Sequence, residues 1–292
     1  MFCPLNAAAF RLSLCAFAIS CVFPSAVRAH HEAIFGPQSS LVFSEPGYLS
    51  TQLYSRNIGA PDDKVQETTA VLSGALSPFA GVPLSLSVIQ PFSYIKDIDR
   101  HTSQTGMEDT IIGARYRYDL QGLQQRFDRE GNFLTATVAL ELPTGSIDHE
   151  AFDGPLDAMF ALLGSVERGA ISVIGYAFYR YNGSQGGSKD GDNLIVGTGL
   201  AWTPVDDPAG RGLLSFQLGL SYETYARDRE AGVRLDDTGG WGLLVHPTIV
   251  WQPNERWQIF ALVSLLVAQD YRNLAQEEHW RVGFGVTRLF GD

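Results

Sequence analysis

The chain has 292 residues, 45% of them hydrophobic, with 32 acidic against 21 basic side chains and a formal net charge of −11. That acidity argues against a nucleic-acid partner, which needs basic surface to neutralise phosphates. No segment beyond the N-terminal region approaches the ~20 consecutive apolar residues of a membrane helix. A helical membrane protein is therefore excluded, whereas a barrel is not, because barrels hide their hydrophobicity in alternation.

The first residues read as a secretory signal peptide over 1–29. Arg11 gives a basic start, Leu12 to Phe23 is an apolar run without charge, Pro24 and Ser25 break it, and Val27-Arg28-Ala29 supplies a cleavage site. The alternatives are a retained anchor and a lipoprotein cleaved before Cys21, although Ala18-Ile19-Ser20 fits a lipobox poorly. All three cysteines, Cys3, Cys15 and Cys21, fall in this leader, so the mature chain is expected to have neither disulfide nor thiol metal site. Residues 30–47 form an N-terminal periplasmic segment in this reading. His30, His31 and Glu32 would open it; a metal-binding N-terminus is an alternative there, although two adjacent histidines alone supply too few ligands for a defined site. No metal and no cofactor is expected.

From residue 48 to 292 the pattern has period two. Leu214 to Glu223 is the clearest case: Leu214, Phe216, Leu218, Leu220 and Tyr222 share one face, and Ser215, Gln217, Gly219, Ser221 and Glu223 the other. Twelve such segments follow in chain order: Tyr48–Asn57, Gln66–Leu76, Leu84–Tyr94, Glu108–Tyr118, Phe133–Leu142, Leu156–Val166, Ile171–Tyr181, Asn193–Trp202, Leu213–Tyr225, Trp241–Gln252, Trp257–Ala268 and Glu278–Phe290. Each has about the 9–11 residues that cross a bilayer at a barrel tilt. The fold expected is all-β, an antiparallel transmembrane β-barrel of about 12 strands, within a range of 10–14.

The connections alternate in length. Ser77–Pro83, Glu167–Ala170 and Pro253–Arg256 read as short periplasmic turns; Ile95–Met107, Pro143–Pro155, Asn182–Asp192, Ala226–Gly240 and Gln269–Glu277 read as longer, polar outer loops. Asp119–Asn132 and Thr203–Gly212 are long for inner turns. Aromatic residues cluster near strand ends, with Trp202, Trp251, Trp257 and Phe290 at the inner ends and Tyr94, Tyr181, Tyr225, Trp241, Tyr271 and Trp280 at the outer ends, where amphipathic rings meet the membrane interface. Phe290 near the chain end resembles the signal read by the barrel-assembly machinery, with Gly291 and Asp292 following it.

Two segments carry a resemblance to a known family. They are Gly106-Met107-Glu108-Asp109-Thr110-Ile111-Ile112-Gly113-Ala114-Arg115-Tyr116 and Ala139-Leu140-Glu141-Leu142-Pro143-Thr144-Gly145. In both, and in layout from about Phe35 to Phe290, the chain resembles the outer-membrane proteins of the "MetA-pathway of phenol degradation" or transporter family. The resemblance implies an outer-membrane barrel passing small, often aromatic, organic molecules. It supplies no catalytic residue, and the residues quoted look structural.

Alternation turns Arg115, Arg117, Glu141, Arg180, Glu223 and Arg281 inward, because a charge facing lipid at mid-membrane costs a few kcal/mol. These six are the candidate lumen residues. They could select solutes in a charged constriction, or they could pair and plug a narrow barrel. His246 is expected to be a hydrogen-bonded wall residue. The acidic outer loops are expected to be solvated, with divalent-cation bridges to lipopolysaccharide as the sharper option. An enzyme at the outer rim would draw on Asp97, Asp99 and His101, or on Asp148, His149 and Glu150, but no Gly-x-Ser-x-Gly motif accompanies them. The function expected is passive passage of small organic or polar solutes, with outer-membrane lipids, lipopolysaccharide and the assembly machinery as partners. The alternative is a non-transporting structural or adhesive barrel.

Overall fold

The computed structural model describes residues 47–59, 64–79, 81–98, 101–120, 132–146, 154–207, 212–272 and 277–290. The signal peptide, most of the N-terminal segment, and Asp99, Asp148, His149 and Glu150 lie outside the described residues. The strands are β1 (Tyr48–Ile58), β2 (Val65–Leu76), β3 (Leu84–Asp97), β4 (Thr102–Met107), β5 (Thr110–Asp119), β6 (Phe133–Leu142), β7 (Asp157–Arg168), β8 (Ile171–Tyr181), β9 (Ser188–Lys189), β10 (Asn193–Asp207), β11 (Gly212–Tyr225), β12 (Arg229–Glu230), β13 (Val233–Arg234), β14 (Gly240–Asn254), β15 (Trp257–Tyr271) and β16 (Glu278–Leu289).

Twelve antiparallel staves close on themselves. Neighbours in the chain pair in turn, and β1 pairs with β16 in register from Tyr48↔Leu289 to Asn57↔Trp280. Closure pairs every stave with a neighbour on both sides, β4 alone having β3 as its single partner, and so satisfies the wall's backbone without water. β4 and β5 are two pieces of one stave, both paired with β3 and parted at Glu108-Asp109. β9, β12 and β13 stand apart as a small three-stranded sheet built from two of the long loops.

The wall is polar inside and apolar outside. Along β1, Ser50, Gln52, Tyr54 and Arg56 are buried, while Leu49 and Leu53 are about half exposed. The same parity puts Leu86, Val88, Val138, Phe160, Leu200, Leu218, Ile249 and Phe284 on the outer surface. So large an exposed apolar surface is stable only against lipid. Near the middle of the barrel the interior also carries an apolar cluster, set among buried polar side chains such as Gln52, Gln217 and Thr248: Tyr54, Ile89, Ile111, Met159, Tyr176, Phe178, Ile195 and Phe260 belong to it. Tyr176 and Phe260 face glycines directly across the ladder, Gly197 and Gly285, whose missing side chains leave room for the rings.

The expected strands are found with their faces as read, and the differences are local. β4 occupies part of the expected outer loop Ile95–Met107, because Thr102–Met107 is exposed or half-buried along its length and has no apolar face to announce it. Thr203–Gly212 is largely strand: β10 runs on to Asp207 and pairs Val205↔Leu214 through Asp207↔Gly212. The register shift between Trp202 and Val205, where Pro204 sits, broke the alternation in the sequence. β9, β12 and β13 lie in segments expected to be plain loops. Of the aromatics, Trp202, Trp251, Trp257, Phe290, Tyr94 and Tyr181 are exposed on the outer surface, whereas Tyr271 is buried against Tyr225, with ring centroids 6.0 Å apart. Tyr271 points inward because the β14–β15 register shifts between Leu243 and Leu244, reversing the parity beyond.

Candidate functional site: the barrel interior

The interior has three layers along the barrel axis. At the end carrying the long loops, inward charged side chains pair with one another. Arg56 on β1 bonds Glu67 directly opposite on β2, with Nη2–Oε2 at 2.7 Å and Nε–Oε2 at 3.1 Å. Arg180 on β8 reaches both Glu141 on β6 and Asp157 on the stave between, each at 2.8 Å. Arg281 on β16 donates two parallel bonds to Glu223 on β11, Nη1–Oε1 at 2.9 Å and Nη2–Oε2 at 2.6 Å, and a further bond to Glu278 Oε2 at 2.7 Å. Bidentate geometry of this kind is the strongest ion pairing a side chain offers. Glu108 joins the layer by accepting a hydrogen bond from Ser93 Oγ.

Glu278 enters through a bulge. Asn57 pairs with Trp280 but Ile58 pairs with Glu278, so His279 is the extra residue. The bulge brings positions 278 and 281 to the same side of the wall, which strict alternation forbids. Sequence parity alone therefore missed Glu278. It also misses Arg56, Glu67, Glu108 and Asp157, although Arg56, Glu67 and Asp157 sit at inward parity in expected strands.

Below this layer His246 is buried between two hydroxyls, Nε2 to Ser221 Oγ and Nδ1 to Ser264 Oγ, both at 2.7 Å. It is the hydrogen-bonded wall residue the sequence suggests. The apolar cluster follows. At the end with the short turns, Arg115 bonds Ser85 Oγ at 2.9 Å and lies 5.9 Å from the Tyr48 ring, and Arg117 stacks 4.5 Å over the Phe133 ring.

All six candidate lumen residues thus lie on the inner wall, but not together. Glu141, Arg180, Glu223 and Arg281 share the loop-end layer; Arg115 and Arg117 stand at the opposite end. Phe290 follows β16 on the outer surface, its N–H bonded to Gly47 O at 2.9 Å and its ring 5.4 Å from the Arg288 guanidinium. Of the rim residues, Asp97 ends β3 and His101 sits in the β3–β4 turn with a positive φ of 54°.

Several solved structures share the fold. An outer membrane channel from Pseudomonas putida F1 is 15% identical, with 92% of this chain and 100% of that chain covered at a TM-score of 0.63. The β domain of the Bordetella autotransporter BrkA is 13% identical over 84% of this chain and 100% of its own, at 0.53. At such identities the likeness is one of fold. No curated protein matches the chain. The closed barrel and its apolar outer surface make this an outer-membrane β-barrel, and the sequence matches a family model over residues 49–279: the chain belongs to the family described as "Putative MetA-pathway of phenol degradation".

Proposed function

We propose that this barrel is an outer-membrane channel for small organic solutes with an aromatic or otherwise apolar part, which cross passively through the interior. The carrying observation is the apolar cluster near mid-barrel, where Tyr54, Ile111, Tyr176, Phe178 and Phe260 face inward. Ions and sugars pass such a region less readily than an aromatic solute does, because their polar groups must shed part of their water there. An aromatic solute loses little there. The Pseudomonas putida structure of the same fold is itself an outer membrane channel, and the family's description refers to phenol degradation; both support this reading. In it the short-turn end faces the periplasm, the long loops face the outside with lipopolysaccharide around them, and Phe290 is read by the assembly machinery.

Liposome swelling with two solutes that do not cross lipid unaided tests the proposal. Phenyl glucoside should enter protein-containing liposomes faster than a disaccharide of similar size. Equal rates, or no entry of either, would overturn it.

A second reading has one observation in its favour. Glu141, Glu223 and Arg281 are each exposed by 4% or less, so these side chains are shut off from water. A permanently plugged, structural barrel would look the same, and it predicts no entry of either solute.

A further inference from the structure

We infer that Arg281 is the residue that closes the loop end of the interior, and that passage requires its bond to Glu223 to open. This rests on the channel reading above. Glu223 and Arg281 belong to staves separated in the wall by β14 and β15. Their side chains therefore bond across the inside of the barrel, past two staves, and do not simply brace neighbours as Arg56 and Glu67 do.

The wall does not need this contact to hold together. β11 and β14 are joined by a ladder in register from Leu213↔Gln252 to Tyr225↔Gly240, β15 and β16 by one from Trp257↔Arg288 to Leu265↔Trp280, and β14 and β15 by a ladder with shifts after Leu243 and Trp251. A wall bulge, moreover, turns Glu278 inward, and Glu278 binds the same guanidinium. Two carboxylates thus hold one arginine. That combination leaves Arg281 at 4% and Glu223 at 2% exposure, beyond the reach of water. Beneath the pair, the intervening staves carry His246 and Ser264, with Ser264 directly opposite Arg281 in the ladder. These are short or tucked side chains tied to each other and to Ser221. Opposite Glu223, β14 carries Gly242; on β15 Gln269 is held by the Glu278 N–H and Tyr271 packs against Tyr225. The acidic pair left behind when the guanidinium swings away would stay solvated once water entered, so the open state has no orphaned charge in a dry interior.

The test is single-channel conductance of the full-length protein in planar bilayers, with slower migration of boiled than unboiled protein on a gel as the check of folding. The neutral triple variant Glu223→Gln, Glu278→Gln, Arg281→Met keeps side-chain volume and removes every charge of the contact. It should conduct several-fold more than the wild type. Arg281→Lys, which keeps the charge but cannot form the two parallel bonds, should fall between the two and serves if the triple variant does not fold. Arg56→Met with Glu67→Gln removes a same-layer pair between neighbouring staves, and should raise conductance far less than the triple variant does. Wild-type conductance in the folded triple and lysine variants would overturn the inference, as would an equal rise in the Arg56/Glu67 control. Phenyl glucoside entry through the wild type is read separately. If the wild type passes that solute while the Arg281 variants leave conductance unchanged, the closing role fails and the channel stands; if no variant and no wild type passes anything, both fail.

Discussion

Asp109 accepts a hydrogen bond from the backbone N–H of Gly145 at 2.6 Å. The two residues come from the two segments through which the sequence resembles its family, and the structure clamps those segments together at the loop end. Thr144 Oγ1 accepts from the Thr110 N–H at 2.9 Å, the Thr110 and Thr144 hydroxyls bond at 2.7 Å, and Gln90 accepts from Thr110 at 2.6 Å. The clamp sits where β4 and β5 part, so side chains secure a stave whose own ladder is interrupted. Gly145 must be glycine here, since a Cβ would lie 2.8 Å from Asp109 Oδ1 and 3.1 Å from its backbone nitrogen. Gly145→Val should destabilise the folded barrel by about 1–3 kcal/mol, the usual cost of overpacking. Urea unfolding in detergent, followed by tryptophan fluorescence, would read this as a lower midpoint at unchanged slope.

A second close approach lies in the apolar cluster. Tyr176 covers Gly197 so closely that a Cβ there would lie 2.2 Å from the ring. Gly197→Val should force the ring out of its place, at a cost of about 1–3 kcal/mol. Tyr176→Ala with Gly197→Val removes the clash but also the ring. The double variant should be less destabilised than the sum of its parts, which a double-mutant cycle in urea measures.

Arg180 holds two carboxylates from two staves. Arg180→Ala leaves Glu141 and Asp157 facing each other in a nearly dry layer, and should cost on the order of 3 kcal/mol. Adding Glu141→Gln should recover part of that loss, because it removes one of the uncompensated charges. Thermal unfolding of the refolded barrel, read by the gel shift, should order the three proteins wild type, double variant, single variant. If the single variant proved as stable as the wild type, the layer would not be tied by these pairs.

On the outer surface the prediction reverses sign with parity. Val138 faces outward on β6, and Thr135 on the same strand is buried. Val138→Arg places a charge in lipid near the middle of a stave, at about 2–4 kcal/mol. Refolding yield into vesicles should fall, while Val138→Leu should refold as the wild type does.

The staves and their faces were legible because a barrel wall imposes period two on every residue that crosses it. Leu214 to Glu223 shows this without interruption, and its inward row is the one found. Where the wall departs from regularity, the sequence misled. The Pro204 bulge hid the end of β10, the His279 bulge hid the inward turn of Glu278, and the shift after Leu243 reversed Tyr271. Each is a single-residue slip that moves every later side chain to the other face. The pairing of inward charges was less legible still. Parity gives which side Arg281 faces, but that it meets Glu223 depends on the curvature of four staves.

The whole reading of the interior depends on the wall sitting with its Leu218 face in lipid and its Gln217 face within. Cys3, Cys15 and Cys21 are the chain's only cysteines, so in protein expressed from after Cys21 a single new cysteine can be labelled without competition. The most direct test is an environment-sensitive dye on Leu218→Cys or Gln217→Cys in vesicles carrying a lipid-borne quencher. The dye at 218 should be strongly quenched and blue-shifted, and the dye at 217 should label poorly or escape the quencher. Equal quenching at both positions, or quenching at 217 alone, would contradict an inside-out barrel.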